Sequence, residues 1–317
     1  MANTYLTSII VVATTVACSA VPKTSSPPKP ATSAVPVASG PVEPVETKEL
    51  DWWMTKSPCT EGAALKGSPP PAGKFVSCEL NGVAQGPRTE FHASGKPARS
   101  DVYSQGKLQG RHTQWYATGT VEEEGNYRNG LPDGKFVRYY RNGHKRIEGD
   151  FHQGKERGFF IMYTEAGERT EVIEYVEGMK HGMNRTYYET GKVREEVEYA
   201  SGMKHGVVRT FYPSGSKHEE GMYAKDQQVG TWRSFREDGL PIEEVQYLAG
   251  KKDGPSTSWQ ASGAKAVEGS YKANIKDGTF NTYDEDGELA KTEEYKAGKI
   301  IRVKRLNPKK SPAAARP

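Results

Sequence analysis

Cysteine is scarce: three residues, Cys18, Cys59 and Cys78, in 317, which excludes a disulfide-dense scaffold. Long apolar runs are missing too. The stretch Leu6 to Ala17 falls short of the roughly 20 residues a membrane-spanning helix needs. Apolar residues make up 35% of the chain and the mean hydropathy is −0.77, too polar for a thick two-layer core. Basic charge is thin on the body. The net charge is +4, but six cations and no acid fall in residues 302–317, leaving about −2 elsewhere. That balance argues against a nucleic-acid interface on the folded part. No nucleophile–base pair, phosphate-cradling loop or cysteine-rich metal spacing is present. The residues therefore offer no constellation for catalysis, a cofactor or a metal.

What the chain does contain is glycine and aromatic residues in strict order. Glycines recur every 24 residues from Gly86 to Gly278, and a second series follows nine positions later, from Gly95 to Gly287. A third runs Gly106, Gly130, Gly154, Gly178, Gly202, Asp226, Gly250, Asn274 and Gly298. Its two exceptions, Asp and Asn, are the residues that best tolerate positive φ. The slot is therefore a left-handed turn position. Aromatics fill two further slots in every unit. One is Phe91, Trp115, Tyr139, Tyr163, Tyr187, Phe211, Phe235, Trp259 and Tyr283; the other is Tyr103, Tyr127, Phe151, Tyr175, Tyr199, Tyr223, Tyr247, Tyr271 and Tyr295.

Each unit reads as strand, turn, strand, turn, because the segments are too short and too glycine-rich for helices. In the third unit, 135–140 and 144–151 are strands around a hairpin loop at Arg141-Asn142-Gly143, and His152 to Gly158 turns into the next unit. Pairing the strands across that loop puts both aromatic slots on one face. The expected fold is all-β: an elongated, single-layer antiparallel sheet of about nine tandem hairpins over residues 86–301.

The unit Gly-x-x-x-x-Tyr-Tyr-x-x-Gly, followed by Tyr-x-x-Gly-Lys-x-x-Gly, is clearest in Gly134 to Gly158 and Gly182 to Gly206. It resembles the bacterial variant of the MORN repeat. That resemblance implies a curved β-sheet serving as an interaction surface, in membrane-proximal scaffolds and antitoxin-type proteins, and carries no catalytic residues.

The flanks divide the rest. Residues 1–18 read as a signal peptide in which Thr15-Val16-Ala17-Cys18 resembles a lipoprotein cleavage box, with Cys18 acylated. Thr15 stands where leucine is usual and no Lys or Arg precedes the apolar stretch, so an ordinary secretory signal or an uncleaved anchor is the alternative. Residues 19–50, rich in Pro, Ser and Ala, read as a disordered tether. Residues 51–85 read as a cap, closed by Trp52, Trp53 and a Cys59–Cys78 disulfide if the compartment is oxidising. In a cytosolic protein the two would be free thiols. A last strand from Lys299 to Leu306 and a basic, disordered tail complete 302–317.

Candidate sites have competing explanations. His181 and His205 share the context Gly-Met-Lys-His-Gly, but equivalent positions in adjacent units lie about 9.6 Å apart, too far to share a metal, so turn residues are expected. Arg185, Arg209 and Arg233 occupy one slot and are expected opposite Glu195, Glu219 and Glu243, as cross-strand ion pairs or as a charged docking ladder. The paired glutamates, such as Glu123-Glu124 and Glu195-Glu196, read as a solvated strand face rather than an acid–base pair. Tyr116, Tyr140, Tyr188 and Tyr212 follow the first aromatic slot. They either pack on the sheet or form an exposed tyrosine platform for a partner. The expected function is a non-enzymatic, exported and lipid-anchored scaffold of a bacterial envelope, outer-membrane or periplasm-facing, binding an unknown protein. The alternatives are a module for cell-wall glycan or lipid headgroups and an antitoxin-type inhibitor.

Overall fold

The structure is a computed structural model that describes residues 51–306; Cys18, the tether and the tail from residue 307 lie outside them. The described chain folds into one sheet of 22 strands. Each strand pairs antiparallel with the next in sequence, so the sheet is a meander without crossovers. The short pieces Ile275–Lys276 and Gly278–Tyr283 both pair with Lys265–Lys272 and together fill one strand's place. Among the described residues there is no α-helix, only a 3-10 turn at Trp52–Met54.

The third unit shows how the glycines set the path. Strands Leu131–Tyr139 and Lys145–His152 flank a loop in which the Gly143 N–H donates to the Tyr140 carbonyl at 2.9 Å. Gly143 has φ 86°, the left-handed residue that closes such a hairpin. At the other end Gln153 and Gly154 both have positive φ, 50° and 83°, which is a two-residue type I′ turn. The next strand begins at once, Lys155–Tyr163. The expected turn from His152 to Gly158 is thus corrected to two residues. Gly158 lies within a strand, at a bulge where residues 158–160 face Gly149 alone between the pairs Glu148↔Ile161 and Asp150↔Arg157.

A second bulge corrects the expected faces. Tyr139 pairs with Lys145, but Arg138 pairs with Ile147, so Arg146 is an extra residue on its strand. A one-residue offset moves every later side chain to the other side. The two aromatic slots therefore lie on opposite faces. Phe151 shares its side with Phe136 and Phe160, whereas Tyr139 shares the other with Val137 and Glu148.

Along the first face runs a buried spine that includes Phe136, Phe160, Ile173, Val197, Val208, Trp232, Val245 and Phe280, all 9% exposed or less. A single layer has no second sheet to cover these side chains, so they cover one another. The second-slot rings stand edge-on between them, as in Tyr127–Phe136–Phe151–Phe160–Tyr175 and Tyr223–Trp232–Tyr247, with centroids 5.2 to 6.4 Å apart. Such pairs contribute about 0.5–1.5 kcal/mol each beyond burial. Each large ring also lies on a glycine of the preceding strand: Phe136 on Gly125, Phe160 on Gly149, Trp232 on Gly221 and Phe280 on Gly269. A Cβ on Gly149 would stand 2.6 Å from the Phe160 ring. These four glycines serve space, not turns.

The two ends differ. The first two strands, Ala64–Ser68 and Phe75–Leu80, are held by the Cys59–Cys78 disulfide. Trp52 Nε1 donates to Thr89 Oγ1 at 3.0 Å, and Trp53 packs edge-on against Phe91. At the far end Lys299–Arg305 is exposed throughout. Arg302 stands there in place of a tenth bulge glycine, and only one extra residue, Ile301, separates the pairs Tyr295↔Ile300 and Glu294↔Arg302. The cations Lys299, Arg302, Lys304 and Arg305 discourage another strand of like charge from adding to this edge.

Gly221→Ala should destabilise the protein by about 1–3 kcal/mol through overpacking against Trp232. Thermal denaturation should show recovery in Gly221→Val/Trp232→Val, which copies the Val197↔Val208 pair one unit earlier. Additive losses in the two single variants and the double would mean that ring and glycine are not coupled.

Candidate binding surface

The bulges sort the polar residues into continuous rows, one residue per strand. On the face of the first aromatic slot the central row includes Arg185, Glu196, Arg209, Glu220, Arg233 and Glu244, each the cross-strand neighbour of the next. The arginines therefore face Glu196, Glu220 and Glu244, not the expected Glu195, Glu219 and Glu243. The cause is the same bulge, here at Arg194. Glu196 accepts from Arg185 Nε at 2.9 Å and from Arg209 Nη1 at 3.4 Å, and Glu244 from Arg233 Nε at 2.7 Å. Where the first-slot residue is Tyr, its hydroxyl often takes over this task. Tyr163 donates to Glu148 at 2.6 Å, and Tyr283 donates to Glu268. Hydrogen bonds from Lys265, Tyr283 and Asn281 hold the Glu268 carboxyl down at about 2. The row neutralises its own charge, which leaves little for a partner.

The tyrosines after the first slot have an internal task as well. The hydroxyl of Tyr116 donates to the Tyr139 carbonyl, Tyr140 to Tyr163, Tyr188 to Phe211 and Tyr212 to Phe235, at 2.6 to 2.9 Å. Each bond spans 23 residues and staples one unit to the next. His92 and Arg236 reach the corresponding carbonyls of Trp115 and Trp259. All four tyrosines are half-buried.

On the opposite, spine-bearing face the glutamates displaced from the arginines form a row of their own. Glu171, Thr186, Glu195, Thr210, Glu219, Ser234, Glu243 and Ser258 follow one another across successive strands. Acids alternate with hydroxyls, and every residue is half-buried. Lys252 pairs with Glu243 at 2.9 Å, while Glu171, Glu195 and Glu219 are in no ion pair among the described residues. Burial, reinforced by Glu243, raises the pKa of Glu219. Across the apolar spine stands the second-slot row Tyr175, Tyr199, Tyr223 and Tyr247. Burial first, and then neighbouring acids, push these phenols up. Lys180 and Lys204 lie over the Tyr199 and Tyr223 rings at 5.4 and 5.2 Å.

The MORN repeat variant family matches four segments of the chain: residues 108–129, 180–200, 204–225 and 276–297. Each of these segments lies within the hairpin array and spans one strand–loop–strand unit of it. The array is built of MORN repeats. No curated protein matches the chain as a relative. MORN arrays of this kind are repeat proteins that bind, and their residues sort accordingly. Of the expected site residues, Arg185, Arg209 and Arg233 come together in the self-paired row, and Tyr116, Tyr140, Tyr188 and Tyr212 form the staples. Cys59 and Cys78 are bonded to each other, and Cys18 is outside the described residues. His181 and His205, expected in turns, are exposed and lie in strands Met179–Tyr187 and Met203–Phe211. The acid–hydroxyl row of this MORN array was missed, although its 24-residue recurrence at Glu171, Glu195, Glu219 and Glu243 is visible in the sequence. Its face depends on the bulge.

Tyr188→Phe should cost about 1 kcal/mol in urea denaturation, the usual worth of one hydrogen bond. Replacing Tyr116, Tyr140 and Tyr212 as well should cost roughly the sum, because the four staples share no partner. No change in the quadruple variant would mean that the bonds contribute nothing to holding units together.

Proposed function

We propose that this MORN array is a docking scaffold, not an enzyme, and that it binds a protein over units four to seven of the spine-bearing face. The observation that carries this reading is the acid–hydroxyl row. Three of its carboxylates have no ion-pair partner among the described residues, and it lies beside a parallel row of tyrosines. Half-buried tyrosines supply large contact area at little entropic cost, and unpaired acids flanked by hydroxyls give directional acceptors. A partner presenting cations and backbone donors would satisfy both rows. The reading extends to location: the apolar stretch before Cys18 supports export and lipid anchoring at a bacterial envelope surface, with residues 19–50 as the tether.

In-cell crosslinking of the full-length chain should enrich one protein near stoichiometry, and Glu195→Lys/Glu219→Lys should lose that protein while keeping its thermal melting curve. Recovery of only glycan or lipid fragments, or equal capture by the double variant, would reject the docking face. Cys18→Ala should move the protein from the membrane to the soluble fraction. Continued membrane association would reject the anchor.

A further inference from the structure

The spine is apolar or small through most of its length, but at its start two titratable groups interrupt it and a third stands beside them in the adjoining row. Asp101 and His112 occupy the places that Gly125 and Phe136 hold one unit later, and both are about 3% exposed. Asp101 Oδ1 lies 2.6 Å from His112 Nδ1, and Glu123 Oε1 lies 3.4 Å from His112 Nε2. Both ring nitrogens thus face carboxylate oxygens. A neutral imidazole has one N–H and one lone pair. In either tautomer it would turn a lone pair toward a carboxylate, and only the imidazolium presents an N–H to both sides.

The charged and titratable groups around the ring come from every neighbouring strand. Arg88 is the cross-strand neighbour of Asp101 on the preceding strand. Arg99 Nε is 2.6 Å from Asp101 Oδ2, and the Tyr103 hydroxyl donates to the same oxygen at 3.3 Å. Arg138 Nε reaches Glu123 at 2.5 Å, and the Tyr127 ring stands edge-on to His112 at 5.5 Å. Arg99 and Arg138 are 37% and 55% exposed, so water shares their charge, whereas His112 has no such recourse. The three central groups do not form a cluster able to hold a metal ion.

We propose that Asp101, His112 and Glu123 form a proton-dependent clasp across strands Pro97–Ser104, Lys107–Trp115 and Val121–Arg128, which holds the first two units rigid and loosens them as the pH rises. Burial opposes the charge on His112, but the hydrogen bond to Asp101 and the nearby Glu123 carboxylate outweigh it and raise its pKa. A folded-state pKa raised above the ordinary value of about 6.5 stabilises fully below that value. The contribution is lost as pH climbs through the folded-state pKa. Burial likewise works against ionised Glu123, and the His112 and Arg138 contacts lower its pKa, so the acid stays charged throughout this window. The loosening is local, because each unit of a repeat array contacts only its neighbours. It would change the stiffness of the capped end of the array while units four to seven stay as they are.

Two measurements on the full-length chain test this. The His112 ring protons, followed by NMR, should titrate above those of exposed His181 and His205; titration at or below them would overturn the clasp. Limited proteolysis at pH 6 and pH 9 should show cleavage within 99–127 rising several-fold relative to cleavage within 220–245. Asp101→Gly/His112→Phe, which copies Gly125 and Phe136, should abolish that change in ratio. Should this double variant not fold, His112→Gln, neutral and similar in size, should show the high ratio at both pH values. A pH-independent ratio in the native chain, or an unchanged pH response in either variant, would defeat the proposal.

Discussion

Everything in this sheet depends on where its bulges fall. Each unit makes two: one extra residue after the hairpin loop, as at Arg146 and Arg194, and a wider one built around the glycine 24 residues from its neighbours. Side chains alternate strictly along a strand, so an extra residue is a switch that decides which face every following residue reaches. Because the bulges recur with the repeat, the switching recurs too, and like residues align into rows across many strands. Without them the two aromatic slots would share a face and the arginines would meet a different set of glutamates.

A single layer must then stabilise itself without a partner sheet. It does so by nearest-neighbour contacts, the only kind a linear array has. Rings lie over glycines on the spine, edge-on rings fill the gaps between them, tyrosine hydroxyls bind the next unit's carbonyls, and arginine or tyrosine answers the glutamate of the adjacent strand. Each is worth on the order of 1 kcal/mol, and each recurs. The repetition, not any one contact, makes a thin sheet stable. The cap supplies what repetition leaves undone at the first edge, with a disulfide and two tryptophans, while positive charge guards the last.

The same logic separates structural from available chemistry. Groups whose partners recur within the array, such as the arginine–glutamate row and the stapling tyrosines, hold the sheet together. Groups that break the internal pattern stand out against it. The unpaired acids Glu171, Glu195 and Glu219 lack cations of the kind that Glu196 has on the other face, and His112 is a titratable ring where the spine otherwise takes apolar rings or smaller uncharged side chains. Departure from the repeat is therefore the most informative feature of the surface.

The sequence by itself determined the period, the hairpin, the turn glycines and the all-β class, because positive φ and alternating aromatics are local properties written residue by residue. The asparagine and aspartate that replace glycine at 274 and 226 were enough to mark that turn. It also placed Cys59 and Cys78 in one cap. Only the tertiary structure decided the faces. Arg146 and Arg194 look like ordinary strand residues, and whether a residue is paired or extra depends on the strand opposite. From that one decision followed the separation of the aromatic rows, the true partners of Arg185, Arg209 and Arg233, and the unpaired acids. The clasp at His112 was equally hidden: its ligands lie 11 residues away on either side, at Asp101 and Glu123, and only strand register brings both carboxylates to one imidazole.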